Sequence, residues 1–158
     1  MKIYSADNIC NIAVAGHGGK GKTTLCEAML YISGSTDRLG KVVDGNTVMD
    51  YDAEEKRKGV SISSSVAPAN WKGKKINIID TPGFFDFAGG LSEGVRAAES
   101  VLIVTSAGSG LDVGAEKAVK AANSRSIAKM FAITKTDAEH TDFYKTIDAL
   151  TNEYGAKI

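Results

Sequence analysis

Gly16-His17-Gly18-Gly19-Lys20-Gly21-Lys22-Thr23 is the stretch that decides the fold of this chain. It fits the phosphate-loop pattern G-x-x-x-x-G-K-[ST] at every fixed position. The apolar residues 9–15 before it read as a buried strand, and residues 24–32 after it read as a helix. That strand, loop and helix order is the context the pattern requires. Glycines at 16, 18, 19 and 21 let the backbone curl so that successive N–H groups face phosphate oxygens, helped by the positive end of the helix dipole. Lys22 is then expected to reach the β- and γ-phosphates and the Thr23 hydroxyl to ligate Mg²⁺. The expected nucleotide-binding residues of this segment are His17, Gly18, Gly19, Lys20, Gly21, Lys22, Thr23 and Thr24.

Composition bounds the rest. A chain of 158 residues is expected to form one domain with a core that needs no disulfide or metal staple. Nineteen basic residues balance nineteen acidic ones, so net charge does not argue for a nucleic acid or an anionic membrane as partner. Cys10 and Cys26 match no zinc or redox spacing and read as small buried hydrophobes. Two histidines, His17 and His140, are too few to suggest a histidine metal site. With no signal-peptide pattern and no apolar run approaching the ~18 residues of a membrane span, the expected location is cytoplasmic.

Strand and helix patterns alternate along the chain, with one long interruption. Residues 33–59 show no sustained apolar period, and a stretch of that length inside a compact domain is expected to be functional or mobile. Residues 61–69 alternate, 70–74 read as a turn and 75–80 as an apolar strand, which predicts an antiparallel hairpin. Helices are expected over 89–100, 113–123 and 143–154, and buried strands over 101–106 and 127–134. The fold class that follows is α/β: a phosphate-loop NTPase of three layers, α/β/α, with a mostly parallel sheet and one antiparallel hairpin strand. Ligands are expected at the C-terminal ends of the strands.

Two further constellations name the ligand. The strand ending at Ile79 runs into Asp80-Thr81-Pro82-Gly83, where the Asp80 carboxylate can hold Mg²⁺ and the Gly83 N–H can face the γ-phosphate. The later strand ends in Thr134-Lys135-Thr136-Asp137. Guanine-nucleotide proteins carry Asn-Lys-x-Asp there; the aspartate accepts from guanine N1–H and N2, and the lysine stem lies over the ring. Adenine lacks those two donors. Charge-assisted bonds to Asp137 are worth about 1.5–3 kcal/mol, against about 0.5–1.5 kcal/mol for the neutral bonding lost with Thr134 in place of asparagine. Guanine preference is therefore expected to survive, with Thr134, Lys135 and Asp137 as base-site residues.

In this order, these residues resemble the GTPase domain of translational GTPases, and the elongation factor G family above all. The resemblance includes Gly45-Asn46-Thr47-Val48-Met49-Asp50-Tyr51-Asp52, the segment Lys58-Gly59-Val60-Ser61-Ile62, residues 80–87 and Asp142-Phe143-Tyr144. The glycine-rich loop, the first of these segments and the Trp71 hairpin look like a paralogous elongation-factor-G-like branch. It implies GTP/GDP and Mg²⁺ as cofactors, and the ribosome as partner of a longer factor, with neither a membrane nor a sequence-specific nucleic acid. It places Ser61 at the switch threonine, a metal ligand beside Thr23 and Asp80. Residues 37–61 become the first switch and 80–90 the second. The triplet Lys56-Arg57-Lys58 becomes a candidate contact for ribosomal RNA.

The chain departs from that family at three places. The histidine that positions the attacking water is Phe84 here, so no catalytic residue is assigned and GTP hydrolysis is expected to be slow. The aspartate of the family's phosphate loop is Gly19, followed by Lys20, which could add positive charge near the phosphates. The family's last guanine-contact motif, final strand and helix, and later domains do not follow residue 158, so residues 1–158 are expected to be an incomplete GTPase domain. Two other readings remain at this point. One is a nucleotide-gated ribosome-binding module with negligible catalysis. The other is a phosphate-loop ATPase of the partitioning and septum-site type, whose deviant loop resembles residues 18–23 but carries a lysine where this chain has His17.

Overall fold

Five strands make one sheet in the computed structural model, which describes residues 3–108 and 111–155. They are β1 (Ile9–Ala15), β2 (Ser65–Trp71), β3 (Lys74–Asp80), β4 (Ser100–Ser106) and β5 (Ala128–Thr134). The sheet order is β2-β3-β1-β4-β5. β1 lies parallel to β3 and β4, and β4 parallel to β5, while β2 alone runs antiparallel, pairing with β3 from Ser65↔Asp80 to Trp71↔Lys74. The central position of β1 explains its sequence: Ala13, Val14 and Ala15 are fully buried, as a strand covered on both faces must be.

The described residues form five α-helices beside the sheet and its loops: α1 (Lys22–Ile32), α2 (Ala53–Lys58), α3 (Ala88–Ala97), α4 (Val113–Ser124) and α5 (Phe143–Tyr154). On one face Ala13, Ile79, Val101 and Ile103 pack with Val95 of α3 and Ala115, Ala118, Val119 and Ala122 of α4. Tyr154 of α5 stacks on Phe131 at 5.5 Å on that same side. On the other face Val14, Ile78, Leu102 and Val104 pack with Cys26 and Leu30 of α1 and with Met49. The expected three-layer α/β/α architecture with one antiparallel hairpin strand is what forms.

Differences from the sequence reading are local. The first helix begins at Lys22 rather than residue 24, because Gly21 takes a left-handed backbone (φ 87°) and caps it. The hairpin turn narrows to residues 72–73, and the alternating residues 61–64 lie outside β2. Within the stretch read as patternless, Asp52 caps α2 through a reciprocal capping box with Glu55. Cys10 is half-buried rather than buried. No helix among the described residues is long and apolar enough to cross a membrane.

A candidate nucleotide and metal site

The ends of β1, β3 and β5 meet the N-terminus of α1 at one edge of the sheet. There a cavity of about 310 Å³ opens, lined among others by Gly18, Gly19, Gly21, Lys22, Thr23 and Thr24. Thus six of the eight phosphate-loop residues expected to hold nucleotide line one space. Lys22 is only 6% exposed, and its ammonium donates to the His17 carbonyl at 3.0 Å. Burial lowers its pKa, and the nearby Asp80 carboxylate opposes that shift. A buried ammonium with one backbone partner has donors to spare for an anion.

Gly83 folds back over this loop. A Cβ there would overlap the Lys22 ammonium and stand 2.6 Å from the Gly18 nitrogen, so only glycine fits. Phe84 follows with its ring flat against Gly18, where a Cβ would come within 2.8 Å of ring carbon. Phe85 lies under the Lys117 ammonium at 3.9 Å and 5.5 Å from the His17 ring. His17 therefore contributes its carbonyl to the loop, while its buried Nδ1 has no hydrogen-bond partner.

The metal end is built from four oxygens. Thr23 Oγ1 donates to Asp80 Oδ2 at 2.6 Å and lies 3.2 Å from Ser61 Oγ, which donates to Asp50 Oδ1 at 2.7 Å. Asp80 is 1% exposed and Asp50 3%. Burial pushes the Asp80 carboxyl up to about 7, against the Thr23 hydrogen bond and the Lys22 charge that lower it. Burial also raises Asp50, with the Ser61 hydrogen bond opposing. The buried Asp80 Oδ1 has no hydrogen-bond partner. Two carboxylates, two hydroxyls and one orphaned carboxylate oxygen fit a hard, oxygen-seeking cation such as Mg²⁺. No group of three or more His, Cys, Asp or Glu side chains gathers among the described residues. The donor set thus suits a metal completed by phosphate and water rather than an all-protein cage.

The base end is less enclosed. Thr134 Oγ1 lies 2.7 Å from the Lys20 carbonyl and 3.0 Å from the Thr105 carbonyl, its one proton tying the phosphate loop to the sheet. Lys135 lines the cavity on a left-handed backbone (φ 54°), whereas Asp137 sits exposed in the following turn, outside the lining residues. Lys20 turns its ammonium to Ser106 Oγ at 3.2 Å. Arg57 and Lys58, two of the three residues of the basic triplet, pair with Glu54 on α2.

Three residues in or beside the site carry no role in the sequence reading. Asp50 falls within the segment 45–52 without a function attached to it. Glu55, 2% exposed, accepts from the N–H groups of Asp52, Ile62 and Ser63, closing α2 onto the residues that follow Ser61. Glu27 on α1 is fully buried and accepts from Val48 N at 2.7 Å and Met49 N at 3.0 Å. Only the Asp52-x-x-Glu55 capping pattern is a signal that the sequence offers for any of them.

Comparison with known proteins places this geometry. The elongation factor Tu GTP binding domain family matches residues 7–158. The mitochondrial ribosome-releasing factor 2 of Drosophila grimshawi is 36% identical over 156 residues, 99% of this chain and 21% of that protein. Its Drosophila willistoni counterpart is 35% identical over 95% of this chain and 20% of that protein. The chain thus spans about a fifth of the length of these relatives. A crystal structure of a Thermus thermophilus protein superposes with a TM-score of 0.89 at 36% identity, over 93% of this chain and 22% of that one. A bacterial selenocysteine-specific elongation factor shares the fold, with a TM-score of 0.74 at 23% identity over 91% of this chain and 23% of its own. A match running from residue 7 to residue 158 takes in the whole site described above: the chain belongs to the elongation factor Tu GTP binding domain family, as a GTP-binding domain of the elongation-factor-G-like kind.

Proposed function

We propose that this domain binds GTP and GDP with Mg²⁺, hydrolyses GTP slowly, and acts at the ribosome as part of a longer factor. The observation that carries the reading is the joining of the phosphate loop to both switch segments: Thr23 to Ser61 and Asp80, and Gly18 to Gly83 and Phe84. Thr23, Ser61, Asp80 and Asp50 are the residues that would hold Mg²⁺, directly or through water. When bound, the ion would offset the negative charge of the phosphates. Lys22 and the loop amides would hold the phosphates, and Lys135 and Asp137 would read the base. Asp137 needs its turn to close toward the cavity to do so.

Slow turnover follows from Phe84. Its ring occupies the loop wall where a water-positioning group would act, and phenylalanine neither accepts nor donates a proton. A positioned acid–base group is worth about 10²–10⁴-fold. Single-turnover hydrolysis of wild type and Phe84→His, with ribosomes present, tests this; equal rates would refute it. A second reading, a nucleotide-gated ribosome binder with negligible catalysis, is favoured by the same ring and separates from the first by a wild-type rate no higher than that of GTP in buffer. The partitioning-type ATPase reading loses its support to the family match.

A groove beside β5 supports the domain's being completed by further chain. Met130, 61% exposed, and Ala128 stand open at its edge, while Ile78 and Leu102 at its floor are buried.

A further inference from the structure

Glu27 is a fully buried carboxylate that neither the nucleotide nor the metal site uses. We propose that it is a positioning residue for the metal end, pinning residues 48–49 to α1 as a fixed hinge about which the remainder of the first switch moves. The proposal rests on the nucleotide-binding reading above. Glu27 and Thr23 stand one helical turn apart on α1, on the same face. Each grips one end of the segment 48–61. Glu27 Oε1 holds two backbone N–H groups at 2.7 and 3.0 Å, while Thr23 holds Ser61 through one hydroxyl pair at 3.2 Å. The first grip is charge-assisted and buried, and it is backed by Met49, 1% exposed in the core; the second is only an approach of two hydroxyls whose protons go to Asp80 and Asp50. Glu27 Oε2, buried without a hydrogen-bond partner, lies so close to Gly40 that a Cβ there would overlap it.

Between the grips, the switch is built as one body. Glu55 ties α2 to Ile62 and Ser63, and Asp52 caps it, so residues 52–63 hold together without help from α1. Asp50 is the joint between hinge and body, and its carboxylate accepts from Ser61. With Glu27 in place, Asp50 enters the metal end from a fixed backbone. Without it, Asp50 and Ser61 lose their anchor together.

Amide hydrogen exchange on the whole chain, nucleotide-free and with GDP plus Mg²⁺, reads this directly. In wild type the Val48 and Met49 amides are expected to exchange at least about 10-fold more slowly than those of residues 60–61 in the nucleotide-free protein, and to change less than about 3-fold when ligand is added. Glu27→Ala should release both amides and weaken Mg²⁺ binding to the GDP complex by about 10-fold, with GDP affinity in chelator unchanged. Glu27→Gln retains an acceptor oxygen and should keep both properties within about 3-fold of wild type. Wild-type Val48 and Met49 amides that exchange in step with residues 60–61 would overturn the hinge. So would a folded Glu27→Ala protein with unaltered Mg²⁺ affinity. Should Glu27→Ala fail to fold, the wild-type exchange pattern and the glutamine variant decide the matter. Absence of GDP binding would sink the proposed function, while the nucleotide-free comparison would still decide whether the hinge exists.

Discussion

Replacing Asp80 by asparagine isolates the cost of placing a carboxyl at the floor of the site. Its folded pKa, about 7, stands above its ordinary value of 3.8, and burial is the main cause. A carboxyl whose folded value is raised favours folding while protonated: the contribution is complete below 3.8 and disappears as pH climbs through about 7. At about 1.4 kcal/mol per pKa unit, the gap between those values comes to about 4 kcal/mol, a large share of the ~5–15 kcal/mol that holds a domain folded. Asparagine fills the same space without the charge and can accept the Thr23 hydroxyl through its amide oxygen. Urea unfolding in chelator, without nucleotide, from pH 4 to pH 8 should show wild type losing about 4 kcal/mol relative to Asp80→Asn, because other titrating groups cancel in the difference. Adding Mg²⁺ and GDP should reverse the order at pH 8, since the cation takes the proton's place. Parallel stability curves for the two proteins would refute the argument from burial.

Other expectations follow from single contacts. Asp137→Ala should weaken GDP by about 1.5–3 kcal/mol while leaving ADP unchanged, as paired calorimetric titrations would show. Gly21→Ala forces a side chain onto a left-handed helix cap (φ 87°) and should cost about 1–2 kcal/mol, measured by urea unfolding. Leu30→Ala removes a side chain that is 1% exposed beneath the sheet and should cost about 2–5 kcal/mol in the same experiment.

The readable parts of the fold are those whose pattern is local. Residues 16–23 carry their own loop geometry, and apolar runs such as 101–106 carry their own burial, so the sheet and the site's position on it follow from short stretches. Asp80 is legible because it sits where a buried strand ends. Glu27 is not, because a charged residue on a helix is ordinarily solvated. Here the partners that make its burial tolerable, the amides of Val48 and Met49, lie 21 and 22 residues away. The helix α2 escapes a sequence reading for a related reason. Its residues Ala53–Lys58 have no apolar stripe, and its order comes from Glu55 reaching out to Ile62 and Ser63. Likewise the swap at Thr134 reads as a lost contact in sequence, but the hydroxyl ties loop to sheet at 2.7 Å.

Calorimetric titration of the metal-replete chain with GDP and, separately, ADP tests the central claim most directly. The proposed function predicts measurable GDP binding that depends on Lys22 and is at least about 10-fold tighter than ADP binding, the discrimination expected of charge-assisted contacts to Asp137. Equal affinities for the two nucleotides, or no heat with either from a folded sample, would contradict it.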